Sequence, residues 1–407
     1  MQLNLRDKKI LLGVTGSISA YKACEIVRLF IKSGADIRVI MTPSAERFIS
    51  PLTFEALTRN PVLTENTESW SSALNHIDIG KWCDLFVIAP ATANTINKLS
   101  QGIADNILLQ TALACTKPLL IAPAANTNMI KHQATTNSLD TLKRGGIHII
   151  SSQSKLLACG DYGNGALAEP LEIFYQAAQK LIQETFWIDR HVVVTGGGTR
   201  EKIDDVRYLS NFSSGKMANA IATALYLKGA KVFLITTKEH TDIPKSILVK
   251  DVESTQEMLE ATNYSINLAK KVNDKIPFLF MVAAVSDFAP KSPYRGKIKK
   301  SDKNQEWSIK LKQNPDILAQ INKDNIKTVG FKAEMDASRG FENAKSLIAK
   351  KGVDAVCYNL LKNSDSFGTN KNRISFITQN NSIDLGEADK LTLAFKILDE
   401  SQTLINE

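Results

Sequence analysis

The stretch KKILLGVTGSISAYKA (residues 8–23) decides the fold. A short apolar run follows a charged pair, breaks at two glycines among small hydroxyl residues, and passes into helical periodicity. A run of that length bounded by turn residues reads as a buried strand of a parallel sheet feeding a helix. The same unit recurs at ADIRVIM (35–41), DLFVIAP (84–90) and KPLLIAP (117–123). A second series starts at HVVVTGGGTRE (191–201) and continues through AKVFLIT (230–236), PFLFMVAAV (277–285), KTVGFKAE (327–334) and VDAVCYN (353–359). Between the two series, PLEIFYQAAQKLIQETF (170–186) reads as one amphipathic helix. The expectation is an α/β chain of two Rossmann-like, doubly wound open-sheet domains, residues 1–189 and 190–407, with the boundary near Asp189.

Bulk properties agree with two domains. At 407 residues the chain exceeds the size at which one core stops growing. Its hydrophobic fraction of 43% and charged fraction of 23% are ordinary for soluble globular proteins. No apolar run approaches the roughly 20 residues that span a bilayer, and MQLNLRDKKI lacks the apolar core of a secretory signal, so a cytoplasmic protein without membrane partners is expected. The five cysteines (Cys24, Cys83, Cys115, Cys159, Cys357) have no CxxC spacing, which argues against a disulfide framework or a zinc site. A net charge of +8 suits anionic ligands as well as a solvated surface. The densest basic run, KIKK (297–300), has only Tyr294 nearby as an aromatic, a poor platform for nucleic acid.

In the first half, Gly16 and Ser17 follow the first strand, where small residues let backbone amides approach a phosphate. The turn is not GxGxxG, so a mononucleotide such as FMN is favoured over NAD. In IAPATANTINKL (88–99), Thr92 and Asn94 stand at a strand's carboxyl end, either contacting a cofactor or capping a helix. His76 in LNHIDIGKW is a structural histidine or a general base. Cys159 in KLLACGDYGNG (155–165) lies in a glycine-rich segment that reads as a mobile flap, where a thiol could donate a proton.

Taken in order, GVTGSISAYKA (13–23), MTPSAERFISPLTFEAL (41–57), NHIDI (75–79), IAPATANTINKLSQGIADNILL (88–109), APAANTNM (122–129) and LACGDYGNG (157–165) resemble the flavoprotein family of homo-oligomeric cysteine decarboxylases over residues 8–170. The resemblance implies that Gly16, Ser17, Ser44, Thr92 and Asn94 hold FMN, that His76 is the base, that Asn126 binds the substrate near its carboxylate, and that Cys159 is the acid. It further implies oxidation of a cysteine thiolate to a thioaldehyde, the electron sink for loss of CO2. The family pattern reads APAMN and GxGRMxEP, whereas this chain carries Ala125, Ala166 and Leu167, and so lacks a flap arginine.

In the second half, TGGGTREKIDDVRYLSNFSSGKMANAIATAL (195–225) places three glycines after a strand and Ser213 to Lys216 at a helix start, which suits a phosphate although no P-loop is present. VAAVSDFAP (282–290) ends a strand at Asp287 with lysines following, a setting for a metal–nucleotide unit or a plain salt bridge. KQNPDILAQ (312–320) reads as a helix start at Pro315 with Asn314 as cap. These segments, with GFKAE (330–334) and YNLLKNSDSFGTNKN (358–372), resemble the phosphopantothenate–cysteine ligase domain over residues 190–400. The resemblance implies CTP contacts at Ala283, Ala284, Asp287, Lys297, Pro315, Asp316, Ile317, Leu318, Phe331, Lys345 and Lys351, with Mg2+ or Mn2+ at Asp287. It assigns Asn211 to an acyl-cytidylate, Arg207 to phosphopantothenate and Lys297 to catalysis. Departures are Asp205 where the family has proline, Ala218 where it has glycine, and Lys332 and Met335 in GFKAEM.

Both patterns in one chain imply a bifunctional enzyme of coenzyme A biosynthesis acting on 4′-phosphopantothenate, cysteine and CTP, with trimeric flavin domains linked by dimeric ligase domains. The alternative, a two-domain NAD(P)-dependent oxidoreductase, would need a GxGxxG turn with an acidic residue about 20 positions on, a combination that neither half supplies cleanly. A flavin-binding regulatory subunit without turnover is supported only by Ala125 and Ala166.

Overall fold

The computed structural model describes residues 3–72, 74–157, 160–237, 242–272, 274–299, 307–334, 340–360 and 368–405. Contacts divide the chain into two units, Gln2–Ile182 and a second beginning at Gln183. The expected helix across 170–186 stops at Ile182. The residues after it go with the second unit because Trp187, fully buried, packs against Phe278 with ring centroids 5.1 Å apart.

In the first unit the strands are Lys9–Val14 (β1), Asp36–Met41 (β2), Leu85–Ala91 (β3), Leu119–Pro123 (β4) and His148–Ile149 (β5). They form a parallel sheet in the order β2-β1-β3-β4-β5. The helices are Ala23–Lys32 (α1), Pro43–Glu46 (α2), Pro51–Thr58 (α3), His76–Trp82 (α4), Ala93–Ser100 (α5), Ile107–Ala114 (α6), Thr127–Lys131 (α7), Gln133–Arg144 (α8) and Pro170–Ile182 (α9). Leu11, Phe86, Ile88 and Ile121 on one sheet face are buried with Ile79 of α4, Ile96 of α5 and Leu108 of α6. Helices α1 and α9, joined by Phe30 against Phe174 at 5.1 Å, lie outside that cluster. A two-sided cover explains why these strands are nearly all apolar rather than alternating. The segment read as a flap overlaps an antiparallel hairpin, Gln153–Leu156 (β6) with Tyr162–Ala166 (β7), whose register shifts between Gln153 and Ser154.

The second unit has an eight-stranded sheet. Its strands are His191–Gly196 (β8), Lys231–Thr236 (β11), Leu248–Asp251 (β12), Phe278–Met281 (β13), Lys327–Glu334 (β16), Ala355–Leu360 (β17), Lys371–Thr378 (β18) and Ser382–Asp389 (β19), ordered β12-β11-β8-β13-β16-β17-β18-β19. Two small ladders pair Arg200–Lys202 (β9) with Tyr208–Ser210 (β10), and Phe288–Pro290 (β14) with Leu311–Gln313 (β15). The helices are Lys216–Leu227 (α10), Thr255–Val272 (α11), Ile317–Gln320 (α12), Gly340–Lys351 (α13) and Lys390–Gln402 (α14). Helix α11 buries Met258 and Leu259 against Val193, Ile235 and Leu279. Helix α10 takes the opposite face, where a Cβ on Gly196 would lie 2.5 Å from that of Ala218. The sheet is parallel up to β17, and the antiparallel pair β18–β19 closes its edge. Asn314 is not a helix cap: α12 starts at Ile317, capped by Asp316, whose carboxylate accepts the Ala319 amide at 3.0 Å. Among the described residues no helix is long and apolar enough to cross a membrane.

Candidate active sites

The carboxyl ends of β1, β3 and β4 open into a cavity of about 890 Å3. The strand order reverses between β1 and β3, the switch point at which open α/β sheets take their ligands. Gly16, Ser17, Ser44, Thr92, Asn94 and Asn126 all line this cavity. Thr15 joins the two turns: its hydroxyl donates to the Pro90 carbonyl at 2.7 Å and accepts the Thr92 amide at 3.1 Å. Thr92 is the cap of α5, accepting the Thr95 amide at 3.3 Å, and leaves Asn94 exposed in the first turn. Ser17 caps a short 3-10 turn by accepting the Ser19 amide at 3.2 Å. Asn126 caps α7 by accepting the Asn128 amide at 2.9 Å. The hairpin closes one side, where the Ala125 amide donates to the Gly165 carbonyl at 3.0 Å. A Cβ on Gly165 would come within 2.1 Å of the Ala125 carbonyl. Ala125 and Ala166 line the cavity and Leu167 is buried. The cations on the rim are Lys22 and Lys155, both paired with Glu169, and Lys98, paired with Asp105.

His76 is not among the residues lining that cavity. It is the first residue of α4, set there by the buried Asn75, which accepts the Ile77 and Asp78 amides at 3.0 and 2.9 Å. Such a cap is worth about 1 kcal/mol. Its Nδ1 lies 2.6 Å from the Glu68 carboxylate, which also accepts the His76 amide at 3.2 Å. The ring packs edge-on to Trp70, centroids 5.6 Å apart. The hydrogen bond from His76 holds the Glu68 carboxyl below its ordinary value. A carboxylate on Nδ1 fixes that nitrogen as the donor and leaves Nε2 to accept a proton. Cys159 lies outside the described residues.

The second unit has a smaller cavity, about 140 Å3, where β8, β16, β17 and the starts of α10 and α14 meet. Ala284 and Phe331 line it with Ser213, Ser214, Lys216 and Lys390. Of the other expected nucleotide contacts, Ala283, Asp287, Lys297, Pro315 to Leu318, Lys345 and Lys351 do not line it. Several of these gather on adjoining loops. The Asn314 amide donates to the Asp287 carbonyl at 2.8 Å, and its side chain donates to the Ser286 carbonyl at 2.8 Å. Lys351 is ion-paired with Asp316. Asn211 donates to the Val285 carbonyl at 2.9 Å, so the loop after β13 is tied on both sides. Gly198 allows this approach, because a Cβ there would lie 2.6 Å from the Asn211 carbonyl.

Comparison with known proteins gives one answer for each half and one for the whole. The family described as Flavoprotein matches residues 1–182, and the family described as DNA/pantothenate metabolism flavoprotein C-terminal domain matches residues 187–404. The "Coenzyme A biosynthesis bifunctional protein CoaBC" of Bacillus subtilis is 39% identical over 409 residues, covering 98% of each chain. The chain belongs to the CoaBC family. The protein of the same description from Haemophilus influenzae is 37% identical, again over 98% of each chain. Among solved structures, the FMN binding protein AtHal3 is 37% identical and covers 42% of this chain and 95% of its own, with a TM-score of 0.38.

Three features of the structure carry no signal in the sequence. Glu68 sits in an irregular segment eight residues from His76, and no periodicity links them. Lys390 follows LGEAD and reads as a surface charge, yet it is 6% exposed. Cys83 and Cys115, 32 residues apart, bring their sulfurs to 4.0 Å. Their contact pushes the Cys83 thiol up and draws the Cys115 thiol below its ordinary value.

Arg207, expected at the substrate, is already engaged. Its Nε and Nη2 both donate to Asp204 Oδ2, at 3.0 and 2.5 Å, and Nη2 also donates to the Ile298 carbonyl at 2.8 Å. Its guanidinium lies 4.9 Å over the Trp307 ring. Burial opposes ionisation of Asp204, but Arg207 and the amides of Val206, Arg207 and Ile298 outweigh it and hold the carboxyl well below the usual carboxylate range. A carboxyl depressed in this way stabilises the fold at every pH above its unfolded value, near 3.9, and loses that contribution as pH falls through the folded value. The gap in melting temperature between the parent and Asp204→Asn should therefore be constant from neutrality to about pH 5 and narrow below about pH 4. A gap that widens on acidification would contradict this assignment.

Proposed function

We propose that this chain makes 4′-phosphopantetheine in two steps: its second unit couples 4′-phosphopantothenate to cysteine at the expense of CTP, and its first unit decarboxylates the phosphopantothenoylcysteine so formed. The observation that carries this reading is the full-length likeness to CoaBC proteins, joined to a cavity at the β1/β3 switch point.

The first cavity fits FMN. Its switch-point position is the one at which doubly wound sheets of this strand order take that mononucleotide. The Gly16 turn and the start of α5 offer amides and hydroxyls to a phosphate, and the cavity is large enough for a flavin. Gly16, Ser17, Ser44, Thr92 and Asn94 would hold it. Bound flavin supplies the two-electron oxidation of the cysteine moiety and the later reduction. The chain's own residues orient the substrate through Asn126, accept a proton at His76 Nε2, and return one from Cys159. Because His76 stands outside the cavity lining of its own chain, a second copy would supply it, in keeping with trimeric flavin units joined by dimeric ligase units.

In the second unit the substrate carboxylate attacks the α-phosphate of CTP and pyrophosphate leaves; the amine of cysteine then attacks the acyl carbon of the acyl-cytidylate near Asn211, forming the amide and releasing CMP and a proton. Among the described residues no three His, Cys, Asp or Glu side chains gather as a metal cage. A Mg2+ or Mn2+ ion here would be carried mainly by the phosphates, as Mg2+ commonly is, with Asp287 as the protein carboxylate. Positioning and charge neutralisation supply most of such catalysis. Among the described residues Arg207 keeps only Nη1 without a partner, enough to meet one phosphate oxygen of phosphopantothenate.

Incubating the purified chain with 4′-phosphopantothenate, cysteine, CTP and Mg2+ should yield 4′-phosphopantetheine by mass spectrometry. Recovery of unchanged substrate would refute the reading, and a stall at phosphopantothenoylcysteine would remove the first unit's role. Glu68→Gln should keep flavin bound and lower the decarboxylase kcat about ten- to a hundredfold, by analogy with the loss of carboxylates that orient metal-bound histidines. An unchanged kcat in that variant would reduce Glu68 to a structural contact.

A further inference from the structure

Lys390 is an uncommon lysine. It opens α14, where the helix dipole disfavours a cation, and it is 6% exposed. Its neighbour Asp389 does not neutralise it, because that carboxylate accepts the Leu391 and Thr392 amides at 3.0 and 3.4 Å as the helix cap. The Lys390 ammonium donates instead to the Thr369 carbonyl. Lys216, the first residue of α10, donates to the Gly368 carbonyl at 2.8 Å and to Asn370 Oδ1 at 3.0 Å. Both lysines line the smaller cavity, with Lys332 of β16 on another wall, 3.2 Å from Glu334. Among the described residues neither Lys390 nor Lys216 has a carboxylate within ion-pair distance, and the cavity lining contains no acidic side chain. Burial, and then the Lys216 charge, push Lys390 down to about 8.

A buried cation costs several kcal/mol unless a counter-charge joins it, and carbonyl dipoles only partly offset that cost. Two lysines lining one cavity, Lys390 buried and Lys216 exposed, beside the amides of a helix whose cap Gly215 offers no side-chain acceptor, form a receptor for a polyanion. We propose that Lys390, with Lys216 beside it, holds the polyphosphate of the nucleotide and so sets the preference of this site for a nucleoside triphosphate over a monophosphate. This rests on the reading that the second unit uses CTP. Lys390 is on this account a binding residue that turns the charge of the triphosphate into affinity.

The test is calorimetry on the full chain with CTP and Mg2+, and in parallel with CMP. Lys390→Met, which keeps length and removes charge, should weaken CTP roughly ten- to a hundredfold, the worth of a charge-assisted hydrogen bond, while CMP changes less than about threefold. Equal loss for both nucleotides, or no loss for CTP, would overturn the proposal, since a lysine that merely braces residues 368–370 cannot distinguish them. A second measurement needs no variant. At pH 8 an anion that restores full charge to Lys390 should draw up to about half a proton from solution, seen as a dependence of binding enthalpy on the ionisation heat of the buffer. CTP binding without proton uptake would overturn the proposal. Failure of the parent chain to bind CTP at all would instead remove the reading on which it rests.

Discussion

Gly16→Val should give a folded, colourless protein whose flavin content falls to background while its ligase activity survives. A Cβ at this position would lie 2.5 Å from the Ser44 Cβ and 3.0 Å from the Ser44 carbonyl carbon and oxygen, far inside contact distance. The turn cannot retreat. The Thr42 amide is bonded to the Val14 carbonyl at 3.2 Å, the Ser17 amide to Thr15 at 2.8 Å, and the Thr15 hydroxyl to Pro90 at 2.7 Å. Either the Gly16 turn or the Ser44 turn must swing into the cavity both of them line. Overpacking of this kind costs about 1–3 kcal/mol, which a domain stable by 5–15 kcal/mol survives, so a lost cofactor rather than a lost fold is the expected result. Gly102→Ala is the control. Gly102 has φ +70 but nothing within 4 Å of an added Cβ, so that variant should lose only about 1 kcal/mol and stay yellow. Visible absorbance of the purified proteins decides the matter, and a fully yellow Gly16→Val would sink the assignment of this turn to the flavin.

The contrast between Gly16 and His76 shows what a sequence makes legible. Gly16, Ser17, Thr92 and Asn94 sit at the ends of short apolar strands, and parallel-sheet topology gathers those ends whatever lies between them. The switch-point cavity was therefore readable from KKILLGVTG, DLFVIAP and KPLLIAP. The pairing of His76 with Glu68 depends on the path of an irregular segment, for which no periodicity exists. The same holds for Lys390, which reaches the cavity because β18 and β19 turn back antiparallel and bring the start of α14 to it. Those two strands mix polar and apolar positions at a sheet edge, so they lack the continuous apolar run that marked the central strands. The residues just after α9 join the second unit for a related reason: Trp187 packs with Phe278, a partner 91 positions away that periodicity cannot see.

Lys297→Met should lower the ligase kcat about a hundred- to a thousandfold and leave decarboxylation of supplied phosphopantothenoylcysteine untouched. Its side chain is exposed, but the backbone beneath it is held on both sides. The Gly296 amide donates to the Asp205 carboxylate at 2.6 Å and the Ile298 amide to Asp204 at 3.2 Å, while Arg207 holds the Ile298 carbonyl at 2.8 Å. The Tyr294 amide donates to the Ile203 carbonyl at 3.0 Å. The segment bearing Lys297 is thus clasped to residues 203–207, and an ammonium carried on it to a reacting phosphate would stabilise the charge developing there. Removing one preorganised donor costs about 3–4 kcal/mol at such a step. Asp205 stands where the family pattern has proline, which has no carboxylate to offer Gly296. Asp205→Ala removes one hydrogen bond from the clasp, worth about 1 kcal/mol, and should cost roughly fivefold in kcat with the CTP KM little changed. Pyrophosphate release under saturating CTP measures both variants. A Lys297→Met enzyme at full kcat, or one impaired only in KM, would move Lys297 from the reaction step to substrate capture.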